Sequence, residues 1–242
     1  MDILTEIVGK TKERLADKLL TGFPFERAIR ESEDIAFICE VKRASPSKGL
    51  IADAFDHIQI AKDYQAGGAA AISVLTEPFY FLGRDSYLQE ISRAVETPTL
   101  RKDFIIDPYM ICEARVLGAS AVLLICRLLD EGTLASYINL AHSLGLSALV
   151  EAHDEREIEM ALKAGARVIG VNNRDLETFE VDIGLSAKLR RLVPDNILFV
   201  AESGISKKED VDILRQAGVD ALLIGEQIMR ADDKKEAIKC LR

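Results

Sequence analysis

The chain predicts an α/β fold, a (β/α)8 TIM barrel with an extra N-terminal helix, on three observations. Eight short apolar runs of strand length alternate with segments whose apolar residues recur at spacings of three and four. Glycine closes one helical segment after another just before the next run, at Gly68, Gly118, Gly145, Gly165 and Gly218, where a left-handed residue ends a helix. The runs are spaced roughly 20 to 35 residues apart, the room a helical crossover between parallel strands requires. A length of 242 residues suits eight such units.

In chain order, residues 2–20 carry Ile3, Leu4, Ile7, Val8, Leu15 and Leu19 on one helical stripe, an extra helix expected to pack on the barrel as a flap or plug. With it, residues 1–34 form an N-terminal helical extension of a single domain spanning 1–242. The first strand begins at Ile35, and further strands are expected at 70–75, 98–100, 119–125, 148–150, 167–171, 197–201 and 219–224. Helices are expected at 58–66, 87–95, 109–117, 133–144, 155–164, 185–192 and 209–217. Asp107, Asp130, Asp154, Asp182 and Ser206 stand at the N-cap positions, and Pro108 follows Asp107 where proline suits the first helical turn. An open doubly wound sheet is the alternative, but no G-x-G-x-x-G follows the first strand.

Composition bounds the function. Hydrophobic residues make up 48% and charged residues 29%, ordinary for a globule with a sizeable core. A net charge of -9 argues against broad binding to nucleic acid or anionic membranes, while leaving room for a local basic pocket. Cys39, Cys112, Cys126 and Cys240 are widely spaced, form no C-x-x-C pair and read as reduced core fillers. The N-terminus lacks the features of a signal peptide and no run has the ~20 apolar residues of a membrane span, so a cytoplasmic location is expected.

The chemistry gathers at the ends of the strands. Along the first, period-two alternation puts Ile38, Glu40 and Lys42 on one face, so an acid and a base project from the interior side. Burying such charges costs several kcal/mol each unless they are paired or used. Strand three ends at Leu100-Arg-Lys102-Asp, strand five at Glu151, strand six at Asn172-Asn-Arg174, strand seven at Glu202-Ser203-Gly204 and strand eight at Gly225-Glu226. Strands two and four add Ser73, Thr76 and Cys126-Arg127. In a barrel all these ends share one face, so two lysines, three glutamates and an asparagine converge on a ring suited to acid and base catalysis. His57, His142 and His153 fall on helices or helix starts, away from the strand tips, so no metal site is expected. The glycines after strands seven and eight precede helices and read as a phosphate site. Phe81 lies in an apolar loop, Pro78-Phe-Tyr-Phe-Leu-Gly83, that no helical stripe explains.

The stretches Glu40-Val-Lys-Arg-Ala-Ser-Pro-Ser47, Ile72-Ser-Val-Leu-Thr-Glu77, Leu100-Arg-Lys-Asp-Phe104, Leu149-Val-Glu151, Val171-Asn-Asn-Arg-Asp-Leu176, Ala201-Glu-Ser-Gly204 and Leu223-Ile-Gly225 resemble, in order, the strand-end motifs of indole-3-glycerol phosphate synthase. The resemblance covers essentially the whole chain. It implies ring closure of 1-(2-carboxyphenylamino)-1-deoxyribulose 5-phosphate, with loss of carbon dioxide and water, by a carboxy-lyase of tryptophan biosynthesis. No cofactor is implied; the partners are the phosphorylated small molecule and other tryptophan-pathway enzymes, with neither nucleic acid nor membrane.

By the same resemblance Lys102 is the general acid and Glu151 the general base, with Glu40, Lys42, Asn172 and Ser203 in the other catalytic positions. Phe81, Phe104, Leu123, Ile125, Leu176 and Phe179 correspond to the aromatic pocket, Ser45, Ser47 and Arg174 to its carboxylate side, and Glu202 to a further substrate contact. Lys42, Ser203, Gly204, Gly225 and Glu226 correspond to the phosphate site. Lys42 faces either the substrate's carboxylate or its phosphate. Glu226 departs from the small hydroxyl residue some members carry, and its carboxylate must turn away from phosphate or be offset by a cation. Two rivals remain: phosphoribosylanthranilate isomerase, whose chemistry needs a Cys/Asp pair, and a barrel that serves as a scaffold, in which the charged ring need not survive.

Overall fold

A computed structural model describes residues 10, 23–52, 55–175 and 178–242. Of the helix expected over 2–20, all but Lys10 lies outside the described residues. Eight parallel strands close into a barrel: β1 (Ala36–Val41), β2 (Ala71–Leu75), β3 (Thr99–Lys102), β4 (Ala121–Ile125), β5 (Ser147–Ala152), β6 (Val168–Asn172), β7 (Leu198–Glu202) and β8 (Ala221–Ile224). Each strand pairs in parallel with the next, and closure sets Ile38 against both Ala71 of β2 and Leu223 of β8. The helices of the outer layer include α1 (His57–Ala66), α2 (Asp85–Ala94), α3 (Pro108–Val116), α4 (Glu131–Ser143), α5 (Glu155–Lys163), α6 (Ile183–Leu189), α7 (Lys208–Gln216) and α8 (Lys234–Leu241). All eight expected strands form.

Two cores follow from the strand alternation. Phe37, Cys39 and Val41 of β1 face outward into the layer beneath the helices, with Tyr64, Leu88 and Ile111. Ala36 and Ile38 face inward with Leu100, Leu123, Leu149 and Val200, so the period-two reading of the first strand holds. A helix over Pro24–Arg30, with Pro24 in its first turn, drops Phe25 and Ile29 into this inner cluster and stoppers the N-terminal end of the barrel. Phe25 is fully buried; removing such a ring costs about 3–5 kcal/mol. On the same helix Glu26 accepts from Ser147 Oγ at 3.0 Å and Arg167 at 2.7 Å.

Four of the five expected caps form as read. Asp107, Asp130, Asp154 and Asp182 accept from the backbone N–H groups of Tyr109, Thr133, Glu157 and Gly184, each worth about 1 kcal/mol. Ser206 is the exception: the helix begins one residue later, with Lys207 at the cap position. Asp210, in the first turn, reaches back to accept from the N–H groups of Ser206 and Lys207 and from the Ser206 hydroxyl. All three donors converge on one carboxylate oxygen, Asp210 Oδ2, whose charge makes it a stronger acceptor than a serine hydroxyl. The cysteine reading also needs correction. Cys39 and Cys126 are buried, but Cys112 and Cys240 are exposed, because α3 and α8 turn those positions outward.

Candidate active site

At the C-terminal ends of the strands lies a cavity of about 650 Å³. Its floor is the ring of charge. Glu40 from β1 pairs with Lys42, and Lys102, the last residue of β3, reaches between two carboxylates. Its Nζ lies 3.5 Å from Glu151 Oε2 and 3.3 Å from Glu202 Oε2. Asn172, ending β6, donates to Glu151 Oε1 at 3.3 Å and accepts from the N–H of Arg174 at 3.1 Å. All three glutamates are buried.

Two glycines make this crowding possible. A Cβ on Gly170 of β6 would overlap Glu202 Oε1, and one on Gly225 would overlap Glu40 Oε1. Any larger residue there displaces a carboxylate from the ring.

The ring's protonation follows from its geometry. Burial disfavours the lysine cation, but Glu202, Glu151 and Glu40 outweigh it and hold the Lys102 pKa above its ordinary value. Burial also opposes the Glu40 anion, yet Lys42 and Lys102 draw its pKa down. Glu202 goes the other way. Burial, reinforced by Glu151, pushes it up to about 7 against the pull of Lys102. Its Oε1 is buried with no hydrogen-bond partner. Near neutral pH the ring therefore holds a protonated lysine, an ionised Glu40 and a carboxyl at Glu202 close to its midpoint.

The walls divide by chemistry. Phe81 and Phe104 approach with centroids 6.2 Å apart, and Leu123, Ile125 and Phe179 join them around the cavity. Glu77 moulds the Phe81 loop by accepting from the N–H groups of Phe79, Tyr80 and Phe81 at 2.8, 2.7 and 3.0 Å. Ser45 ends the first strand, and Ser47 lies in the turn, of a short hairpin of Ala44–Ser45 and Gly49–Leu50, which is tied to that loop by Ala44 N donating to Phe81 O. On the opposite side is the turn after β7. Ser203 and Gly204 adopt φ of 65° and 80°, a conformation that costs a serine roughly 1–2 kcal/mol. Asn173 Nδ2 donates to Ser203 O at 3.2 Å and so braces the turn. A Cβ on Gly204 would overlap Val181.

Gly225, Glu226 and Arg230 complete this polar end. Arg230 Nε lies 3.1 Å from Glu226 Oε1, so a cation one helical turn away offsets the acid that departs from the expected pattern.

Of the residues given a site role by the resemblance, Leu176 lies outside the described residues and every other one lines the cavity, whereas the strand-end residues Ser73, Thr76, Cys126 and Arg127 do not. Sequence reasoning missed Glu77, Asn173 and Arg230. Arg230 carried a signal, since an acid and a base four residues apart pair on a helix; the other two act on backbone that folds back to them. It also misplaced His153. That residue stands immediately after β5, its Nε2 3.4 Å from Glu151 Oε1, because β5 runs two residues beyond the expected 150. Among the described residues no group of His, Cys, Asp and Glu is arranged to hold a metal ion.

The family model for indole-3-glycerol phosphate synthase matches residues 6–241. The chain is 57% identical over 241 residues to the indole-3-glycerol phosphate synthase of Ruminiclostridium cellulolyticum, covering 100% of this chain and 92% of that protein. It is 55% identical over 231 residues to the synthase of Endomicrobium trichonymphae, covering 96% and 89%. Among solved structures, thiamine phosphate pyrophosphorylase from Pyrococcus furiosus has a TM-score of 0.61 at 20% identity, covering 86% and 93%, a likeness of fold alone. With a family model matched almost end to end and relatives above half identity, the chain belongs to the indole-3-glycerol phosphate synthase family.

Proposed function

We propose that the cavity binds 1-(2-carboxyphenylamino)-1-deoxyribulose 5-phosphate and converts it to indole-3-glycerol phosphate. The observation that carries this reading is Lys102 set between Glu151 and Glu202 on the floor of a cavity with one aromatic wall and one glycine-rich polar end. The anilino ring lies against Phe81, Phe104 and Phe179. The phosphate takes the turns at Ser203, Gly204 and Gly225, with Lys42 and Arg230 supplying positive charge. Ser45, Ser47 and Arg174 serve the carboxylate.

Lys102 is the general acid, giving its proton to the ketone oxygen as the ring carbon attacks. Decarboxylation restores the electron pair to the ring, and in the dehydration Glu151 takes a proton from the carbon beside the hydroxyl, which leaves as water with a proton from the acid groups of the cavity. Catalysis requires groups whose proton affinities lie near the working pH. Lys102 is held too firmly by three carboxylates to be a strong acid by itself. Glu202 relieves this: near its midpoint at neutral pH, it takes up a proton and removes one of the charges that bind the lysine's own. Asn172 keeps Glu151 in orientation, while Glu40 and Lys42 balance charge beside the phosphate. Cytoplasmic work beside other enzymes of tryptophan synthesis belongs to the same reading. The Cys/Asp pair of the isomerase rival finds no support at this site: Cys39 faces the outer layer, and Cys126 lies outside the cavity lining.

The test is direct. Purified protein with the anilino substrate is expected to develop the absorbance and fluorescence of an indole, and Lys102→Ala to lose about 10²- to 10⁴-fold in rate. Wild-type turnover no greater than that of Lys102→Ala overturns the assignment.

A further inference from the structure

A basic ring stands behind the carboxylate taken as general base. His153 Nε2 is 3.4 Å from Glu151 Oε1, and its side chain is only 14% exposed. Nδ1 is 3.2 Å from Glu157 Oε2, and the same oxygen accepts from the His153 backbone N–H at 2.8 Å. His153 is not among the residues lining the cavity, so it approaches Glu151 from the protein side. The charged groups facing the imidazole are acidic from each direction: Glu157 on α5, Glu151 on β5 and Glu202 on β7. Cys126, just after β4, contacts Glu157 O at 3.6 Å. Burial and the nearby acids push its thiol up to about 12, so it adds no charge.

We propose that His153 is a positioning residue for the reaction, an imidazolium held by Glu157 and set against Glu151 Oε1 to keep that carboxylate ionised and aimed into the cavity. The role depends on Glu151 acting as the general base. Its physical need arises from what Lys102 does. While protonated, Lys102 balances Glu151, Glu202 and Glu40. Once it has given its proton away, those carboxylates lose their common cation at the stage when Glu151 must remain a base. A second cation, outside the cavity and untouched by the substrate, maintains the balance. Burial opposes charge on the imidazole, but the Glu157 hydrogen bond with Glu151, Glu157 and Glu202 raises its pKa overall.

The experiment is the pH profile of kcat/KM for wild type, His153→Gln and Glu157→Gln, together with NMR titration of the His153 ring. Without the imidazolium, the carboxylates protonate more readily, so His153→Gln is expected to move the acid limb up by about one pH unit. On the acid side of the limb the rate then falls about tenfold, through kcat rather than KM. The profiles converge at high pH, where the wild-type ring is neutral. Glu157→Gln moves the limb in the same direction by less. In wild type the ring titrates above its ordinary value near 6.5, and Glu151→Gln lowers that value by reciprocal coupling.

An acid limb unmoved in His153→Gln, with or without a uniform loss of rate, overturns the role. So does a ring titration indifferent to Glu151→Gln, which decides the matter if His153→Gln does not fold. An inactive wild type overturns the synthase reading instead, and leaves the coupling between His153 and Glu151 measurable.

Discussion

The two ends of the barrel each bury glutamates among apolar residues and treat them in opposite ways. At the N-terminal end Glu26 receives Ser147 and Arg167, beside the fully buried Phe25. At the C-terminal end Glu202 shares one lysine with Glu151, keeps a buried oxygen without a partner and is pushed up to about 7. The same side chain is thus a satisfied strut at one end and an unsettled proton carrier at the other. Buried polar groups left short of partners cost free energy, and here that cost falls at the end where chemistry is done. Stability is supplied by the stoppered end, where Phe25 and Ile29 complete the inner core.

The sharpest way to break this contrast is to exchange the consequences of mutation at the two ends. Phe25→Ala is expected to lower stability by about 3–5 kcal/mol in urea denaturation while leaving kcat of the folded fraction unchanged. Lys102→Ala does the reverse, abolishing nearly all activity without lowering stability comparably. A Phe25→Ala protein that kept its stability and lost its rate would dissolve the division of labour.

A finer probe compares Glu202→Gln with Glu26→Gln across pH. Glu202 has a folded pKa above its unfolded value, so its contribution to stability is fully present below about pH 4.3 and is lost as pH rises toward 7. Neutral glutamine escapes that loss. Glu202→Gln is therefore expected to gain on wild type by about 1–3 kcal/mol between pH 4 and pH 8 in thermal unfolding, and to lose activity. Glu26→Gln should cost about 1 kcal/mol, the worth of a partly exposed pair. A flat pH response in Glu202→Gln would remove the contrast between the two ends.

The smallest effect lies at the rim. Arg230→Ala leaves Glu226 unbalanced beside the proposed phosphate turns, and KM is expected to rise about tenfold, or 1.4 kcal/mol. Glu226→Ser in the same chain should restore most of that loss, because the two side chains share one interaction. Independent, additive effects would mean that the pair is incidental.

How much was legible beforehand varied by residue. Glu40 and Lys42 announced themselves, since two charges on the inward phase of an apolar strand require an explanation. The aspartate caps and the glycines at 68, 118, 145, 165 and 218 were equally readable, and each of those glycines has positive φ. Arg230 lay in plain view four residues from Glu226, yet nothing in the sequence places that pair at the mouth of a cavity. His153 was assigned to a helix start because the extra two residues of β5 are set by pairing with β6, where Ala152 meets Val171.

What the sequence by itself determined is local: alternation, helical spacing, turns and caps depend on neighbours within a few residues, and these specify eight strands and the identity of the residues at their tips. What only the tertiary structure decided is which tips meet. Lys102 lies between Glu151 and Glu202, residues 49 and 100 positions further along the chain, and Glu40 fits only because Gly225 has no side chain to displace it. The burial that pushes Glu202 up to about 7 and the partners that hold Lys102 protonated exist only in the closed barrel, because proton affinity depends on desolvation and charges across space, neither of which is a property of a residue and its neighbours in sequence.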